Sequence, residues 1–237
     1  MKHCPLTVKS VLLSVALLLS SVSMSLAQLA PHYLVDSGNL IGYLHQSGLN
    51  VYGSNPSYIT WNGGSSAART ECSSFVTLLW QHSFGWTPTT FRSWMASTSP
   101  TAAKYHDTIV AQNRFSQINY VNQIQLGDVI AIKYPPGGTA TGHLMLVSAT
   151  PVIYAATAPL VKGTAQVIVS VIDSSASYHG PTDTRLQPGG TGQGIGQGVF
   201  RLYVNASGVI VGHTWSNYSN SVFYNQSQRH VVVGRLR

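Results

Sequence analysis

The hydrophobic positions change their spacing near the middle of the chain. From 72 to 84 the apolar side chains recur every three or four residues, and no helix-breaking residue occurs before Gly85. This spacing predicts an amphipathic α-helix. Shorter or weaker patterns predict further helices at 38–44 and 101–112. The stretch 50–70 is rich in Gly, Ser and Asn and is predicted to be a loop.

After Gly127 the pattern favours β-strands. Runs of Val, Ile and Leu between turn-forming residues predict strands at 128–134, 143–147, 165–172, 199–204, 209–215 and 231–236. The stretch 188–198 holds six glycines and is predicted to be a flexible loop. Helices followed by consecutive strands indicate an α+β fold, with N-terminal helices packed on an antiparallel β-sheet. No linker separates two cores, so we expect 28–237 to form a single domain.

The first 27 residues have the pattern of a secretory signal peptide. Lys2 and Lys9 form a basic start, 11–19 is an apolar run, and the small residues Ser25 and Ala27 on either side of Leu26 form a cleavage signature. The run is too short to cross a bilayer, and we expect no membrane span later in the chain. These features predict cleavage after residue 27 and a secreted or periplasmic product.

Composition and charge narrow the function. Only 8% of the residues are charged, and this low charge together with 12 Tyr and 5 Trp excludes a disordered chain. Glu and Lys are nearly absent, which excludes a coiled coil. The net charge of +7 becomes +5 without Lys2 and Lys9, and the remaining Arg residues are scattered, so nucleic acid is not expected as a partner. No metal-ligand spacing is found among His45, His82, His106, His213 and His230, so we expect no metal and no cofactor.

Cys72 is the candidate for chemistry. Removal of the signal peptide removes Cys4, which leaves Cys72 as a lone thiol at the start of a predicted helix, where the helix dipole stabilises a thiolate. A cysteine nucleophile needs a base and a group that orients the base. If the predicted strands of His143 and Asp173 are neighbours, these two residues can fill those roles. His179 is the alternative orienting residue, and a buried, inert Cys72 remains the non-catalytic alternative.

Four segments together resemble the NlpC-type cell-wall peptidases. They are YITWNGG at 58–64, ECSSFV at 71–76, LGDVI at 126–130 and GHLMLV at 142–147. These peptidases belong to the papain-like fold, which also includes the CHAP amidases. Glu71 stands where the family usually has Asp, and Ser74 stands where it usually has Gly.

The resemblance implies a papain-like cysteine peptidase or amidase that cleaves peptidoglycan peptides. It makes Cys72 the nucleophile, His143 the base and Asp173 the third, polar residue. An acyltransferase or transpeptidase on the same site, or a non-catalytic wall-binding module, are the alternatives. The residues expected to contact the substrate are Tyr58, Trp61, Ser73 and His179.

Overall fold

The chain folds into an α+β structure in a computed structural model that describes residues 30–237. The predicted signal peptide lies outside these residues. Within the described part, no helix is long and apolar enough to cross a membrane. The same part holds four α-helices, which are α1 (His32–Ser47), α2 (Cys72–Phe84), α3 (Pro88–Met95) and α4 (Ala102–Val110).

The strands form a small sheet and a large one. The small sheet has the order β1-β3-β2 and contains β1 (Asn50–Tyr52), β2 (Tyr58–Thr60) and β3 (Ala67–Thr70). The large sheet is antiparallel and has the order β11-β10-β9-β8-β6-β5-β12-β4, with β7 beside β8. Its strands are β4 (Phe115–Ile118), β5 (Val129–Lys133), β6 (Gly142–Val147), β7 (Val152–Tyr154), β8 (Ala165–Ser175), β9 (Gly194–Val204), β10 (Ile210–Thr214), β11 (Phe223–Asn225) and β12 (His230–Leu236).

The large sheet curls until its two sides approach each other. Tyr120, just after β4, forms an isolated bridge with Val209, just before β10. The Val121 N–H group also donates to the Gly208 carbonyl oxygen at 2.9 Å. Because β4 and β10 lie near opposite ends of the strand order, this contact closes the sheet into a barrel-like shape.

The alternation of side chains along the strands produces two hydrophobic cores. On β5, Ile130 and Ile132 point into the barrel, while Val129 and Ala131 point toward the helices. This is the expected result of a period of two along a strand. The helix-side core surrounds Trp80 of α2, which is fully buried. Contacts of α2 with β6 and β8 hold the start of this helix over the sheet.

Several sequence predictions agree with these elements, and three do not. The helix predicted at 72–84 and the strand that carries His143 are confirmed. The helix predicted at 38–44 begins earlier, at His32, directly after Pro31. The predicted loop 50–70 contains the three strands of the small sheet, which are only three or four residues long and therefore too short to show the usual alternation.

The predicted flexible loop 188–198 is wrong over its second half. β9 begins at Gly194 and pairs with β8 without interruption as far as Val204. Glycine is required in this part of β9 because a side chain would clash with its neighbours. A Cβ atom at Gly196 would lie 2.7 Å from Cγ of Arg185, and one at Gly198 would lie 2.7 Å from Cβ of His179. The glycines provide space for side chains that pack on the strand.

Candidate active site

Cys72 is the first residue of α2 and lies at a cleft of about 380 Å³. β3 leads directly into the helix, and the Ser174 hydroxyl fixes this entry by donating to the Thr70 carbonyl oxygen at 2.6 Å. The Glu71 N–H group donates to Oγ of Ser74 at 2.9 Å, which shapes the first turn. The first N–H groups of a helix have no partner within it, so they stabilise negative charge at the Cys72 thiol.

His143 lies on β6 between Cys72 and Asp173. Its Nε2 atom is 2.5 Å from Oδ2 of Asp173, which leaves Nδ1 as the ring nitrogen available to the thiol. Burial favours the neutral ring, but the charge of Cys72 and the hydrogen bonds with Asp173 and Cys72 outweigh burial and raise the pKa of His143 to about 9. This arrangement favours the protonated form of His143 beside the thiol.

Asp173 is fully buried near the end of β8, the neighbour of β6 in the sheet. The strands of His143 and Asp173 are therefore neighbours, which meets the condition for the two residues to act together. Burial favours a neutral carboxyl group, but the charges of His179 and Arg185 and the hydrogen bonds with both histidines hold the pKa of Asp173 well below its ordinary value. Arg185 donates to Oδ1 of Asp173 and, at 2.8 Å, to Oδ2 of Asp183.

His179 does not fit the expected role of a substrate contact. Its side chain is fully buried behind Asp173, with Nε2 at 2.8 Å from Oδ2 of Asp173 and Nδ1 at 2.7 Å from the Trp215 carbonyl oxygen. A substrate in the cleft has no access to it. The structure therefore places His179 as a partner of Asp173, while Asp173 is the group that contacts His143.

Trp215 and Tyr52 are site residues that the sequence reasoning missed. The Trp215 ring packs against both His143 and His179, with ring centroids 4.6 and 4.1 Å away. Tyr52 on β1 lines the cleft at Cys72 and a second, adjoining cleft of about 270 Å³ at His143. Burial, followed by the negative charges of Cys72, Glu71 and Asp173, raises the pKa of Tyr52 to about 12.

Of the other expected substrate contacts, only Ser73 lines the cleft at Cys72. Tyr58 lies on β2 beside Arg69 and contributes to neither of the two clefts. Trp61 stacks on His82 with ring centroids 3.8 Å apart. His82 is ten residues further along α2 than Cys72, which corresponds to about 15 Å at the rise of an α-helix. The structure therefore does not bring Tyr58 and Trp61 to the thiol.

Glu71 gives the cleft at Cys72 a negative charge. The sequence has six acidic residues, all within the described part of the chain, and the five Asp side chains form ion pairs with His, Lys or Arg. The Glu71 carboxylate forms no salt bridge within residues 30–237. Because it lines the cleft, it is available to a cationic group of a bound molecule.

The buried His143, Asp173 and His179 also have ligand atoms within 4.8 Å of one another, a spacing that could hold a metal ion. Both histidines already direct Nε2 at Oδ2 of Asp173, and Arg185 occupies Oδ1. A metal ion would have to displace these hydrogen bonds and lie beside the Arg185 guanidinium. The donor set therefore fits a hydrogen-bonded triad better than a metal centre.

Comparison with known proteins shows a family relationship to a viral protein. The chain is 36% identical over 175 residues to "Uncharacterized protein R653" of Acanthamoeba polyphaga mimivirus, a stretch covering 70% of this chain and 77% of the viral protein. The chain belongs to the same family as this viral protein. No family model matches the chain. No solved structure matches it either.

Proposed function

We propose that the chain is an exported cysteine hydrolase of the papain-like type, which cleaves amide bonds through a thioester. The observation that carries this proposal is the alignment of Cys72, His143 and Asp173, with the thiol at a cleft and the carboxylate fully buried. Covalent acyl transfer requires a nucleophile, a base beside it and a group that orients the base, and the three residues lie in that sequence.

The first half of the reaction forms the acyl-enzyme. The Cys72 thiolate attacks the carbonyl carbon of the amide, and N–H groups in the first turn of α2 stabilise the oxyanion that develops. A C–S bond forms, the C–N bond breaks, and the amine leaves with the proton that His143 donates. Asp173 keeps the His143 ring directed at the thiol throughout.

The second half releases the acyl group. Neutral His143 accepts a proton from water, and the resulting hydroxide attacks the thioester carbonyl. The C–S bond breaks, the carboxylic acid leaves, and the thiolate–imidazolium pair is restored. An amine in place of water would give acyl transfer, and the product identifies which acceptor is used.

The proposed substrates are peptides of peptidoglycan. The resemblance of 58–64, 71–76, 126–130 and 142–147 to NlpC-type peptidases supports this class. The adjoining clefts at Cys72 and His143 offer room on both sides of a scissile bond, and Glu71 supplies a charge that suits the amino groups of such peptides.

The test measures the rate at which iodoacetamide alkylates Cys72 in the full chain between pH 4 and 10. Peptide mapping separates Cys72 from Cys4, and the matched variant is His143→Ala. We expect Cys72 of the native chain to react faster than Cys72 of the variant at acidic and neutral pH, because His143 accepts the thiol proton. The variant should lose this advantage. An ordinary pH profile that is indifferent to His143 would contradict the proposal.

Substrate cleavage is then followed by mass spectrometry on peptidoglycan fragments. Cleaved peptides from the native chain, and none from folded Cys72→Ala, are expected. If products form only when an amine is added, the activity is acyl transfer and not hydrolysis. If the native chain gives no product and Cys72→Ala binds the cell wall as well as the native chain does, the protein is a binding module and not an enzyme.

A further inference from the structure

His179 has a hydrogen-bond acceptor at each of its two ring nitrogens. Nδ1 lies 2.7 Å from the Trp215 carbonyl oxygen, and Nε2 lies 2.8 Å from Oδ2 of Asp173. A carbonyl oxygen carries no proton, and the Arg185 guanidinium, which donates to Oδ1 of Asp173, keeps this carboxyl group ionised. Both ring nitrogens must therefore donate, and an imidazole donates twice only when it is protonated.

The surroundings balance this positive charge. Asp173 and Asp183 supply two negative charges, and Arg185 and His179 supply two positive charges. All four side chains are fully or almost fully buried. Arg185 bridges the two carboxylates, and Oδ2 of Asp183 also accepts the backbone N–H of His179 at 2.7 Å. Buried charges persist when they are paired and hydrogen-bonded in this way.

We propose that His179 is a permanent imidazolium and acts as a positioning residue for the Cys72–His143 pair. It holds Oδ2 of Asp173 toward His143 and, together with Arg185, compensates the charge of Asp173. This inference rests on the proposed function, because it assigns His179 a part in tuning that site. Asp173 then orients His143 without the full attraction that an uncompensated carboxylate would exert on its proton, and His143 can still release that proton to a leaving amine.

The titratable and charged groups packed around this cluster come from several elements. His213 on β10 adds no charge near neutral pH, because burial and the nearby charges of Arg229 and His143 lower the pKa of its side chain to about 3. The groups that face His179 or its direct partners are Cys72, His143, Asp173, Asp183, Arg185, His213, Tyr52 and Tyr134.

The direct test is nuclear magnetic resonance of the full chain with ¹⁵N-labelled histidine at pH 8. His179→Gln identifies the signals of this residue. We expect two protonated ring nitrogens for His179, at a pH where a free histidine is neutral. A neutral tautomer at pH 8 would overturn the inference. This readout does not depend on any hydrolytic activity, so it separates failure of the inference from failure of the proposed function.

The second test asks whether the charge of His179 reaches His143. His143 and His179 have ring centroids 6.2 Å apart, so loss of a cation at His179 should move the His143 step of the Cys72 alkylation profile to higher pH. The reason is that protonated His143 loses a repulsive charge. A merely structural role would lower the rate at every pH without moving this step, and that result would overturn the positioning role.

The matched variant is His179→Gln combined with Asp183→Asn, which restores equal numbers of buried positive and negative charges. Its profile should return toward that of the native chain, whereas a shift equal to that of the single variant contradicts the charge balance. If His179→Gln does not fold, the double variant supplies the assignment of the resonances. The measurement on the native chain then decides the protonation state of His179.

Discussion

The two ends of the β8–β9 strand pair bury opposite kinds of side chain on the same backbone ladder. At one end, Val167 and Val169 of β8 and Leu202 of β9 belong to the apolar core inside the barrel. At the other end, Asp173 lies among cations, and β9 opposes it with Gly196. The pairing is continuous from one end to the other, so the backbone supplies the same rigid support to a core and to a site.

This contrast teaches that the two ends respond to different perturbations. The apolar end depends on filled volume, because each lost methylene group leaves a cavity. The charged end depends on the balance of charge and on the space that glycines leave. The predictions below are ordered from the largest expected effect to the smallest.

Asp173→Asn removes a charge without removing volume. It leaves two buried cations, Arg185 and His179, with only Asp183 to compensate them, so we expect the free energy of unfolding to fall by about 3–5 kcal/mol. Urea denaturation measures this change. The control is Asp107→Asn, which breaks the exposed ion pair with Lys133 and should cost less than about 1 kcal/mol. Equal effects of the two variants would remove the distinction between the charged end and the surface.

Gly198→Ala tests whether the buried side chains of His179 and Asp183 need the space that this glycine leaves. Its Cβ would lie 2.7 Å from Cβ of His179, so we expect a loss of about 1–3 kcal/mol of stability through overpacking. Gly42→Ala in α1 is the control, because no atom lies within 4 Å of its Cβ position and alanine favours a helix. Thermal unfolding should show opposite signs for the two variants. A neutral Gly198→Ala would show that the strand glycines are not required for packing.

His213→Phe tests a titratable group enclosed between Phe200 and Tyr224. Burial and the charges of Arg229 and His143 lower the pKa of His213 to about 3, so the folded chain keeps it neutral while the unfolded chain protonates it below about pH 6.5. The native chain therefore loses stability as the pH falls below 6.5, by about 1.4 kcal/mol at pH 5.5 from this residue.

The phenylalanine variant should lose less stability than the native chain between pH 7 and 5.5. The measurement is the urea midpoint at both values. Parallel losses in the two proteins would mean that His213 does not contribute to acid sensitivity.

Glu71→Gln has the smallest expected effect and leaves the fold unchanged. The carboxylate beside Cys72 repels anions, so its loss should raise the alkylation rate with iodoacetate several-fold relative to neutral iodoacetamide, as expected for about 1 kcal/mol of Coulomb energy. The ratio of the two reagents cancels any general change in reactivity. An unchanged ratio would show that Glu71 does not govern the charge of this cleft.

Sequence reasoning was strongest where one element alone carries the signal. The helical spacing from 72 to 84 and the apolar run around His143 need no tertiary information, and both elements have nearly the predicted bounds. The Asp128 side chain accepts the Gln125 N–H group and pairs with Arg235, so it stabilises the turn before β5.

The other residues at or near the site are positioned by contacts between segments that are distant in the sequence, so the sequence alone does not predict their places. Tyr52 reaches the cleft only because β1 pairs with β3, and neither strand has a pattern visible in the sequence. Trp215 lies against the two histidines because β10 joins the same sheet as β8 through β9. Tyr58 and Trp61 were predicted to contact the substrate because they belong to a segment that resembles the peptidases. In the structure, Tyr58 packs against Arg69 and Trp61 packs against His82, away from the thiol.

The glycines of β9 also have an evolutionary consequence. A side chain at Gly196 or Gly198 is sterically compatible only after Arg185 or the His179–Asp183 turn has already changed. The order of substitutions is therefore constrained: the charged residues must be lost first, and the glycines become free to vary only afterwards. A descendant of this chain that has lost the buried cluster should still carry glycine at these positions for a time, as a remnant of the site it once supported.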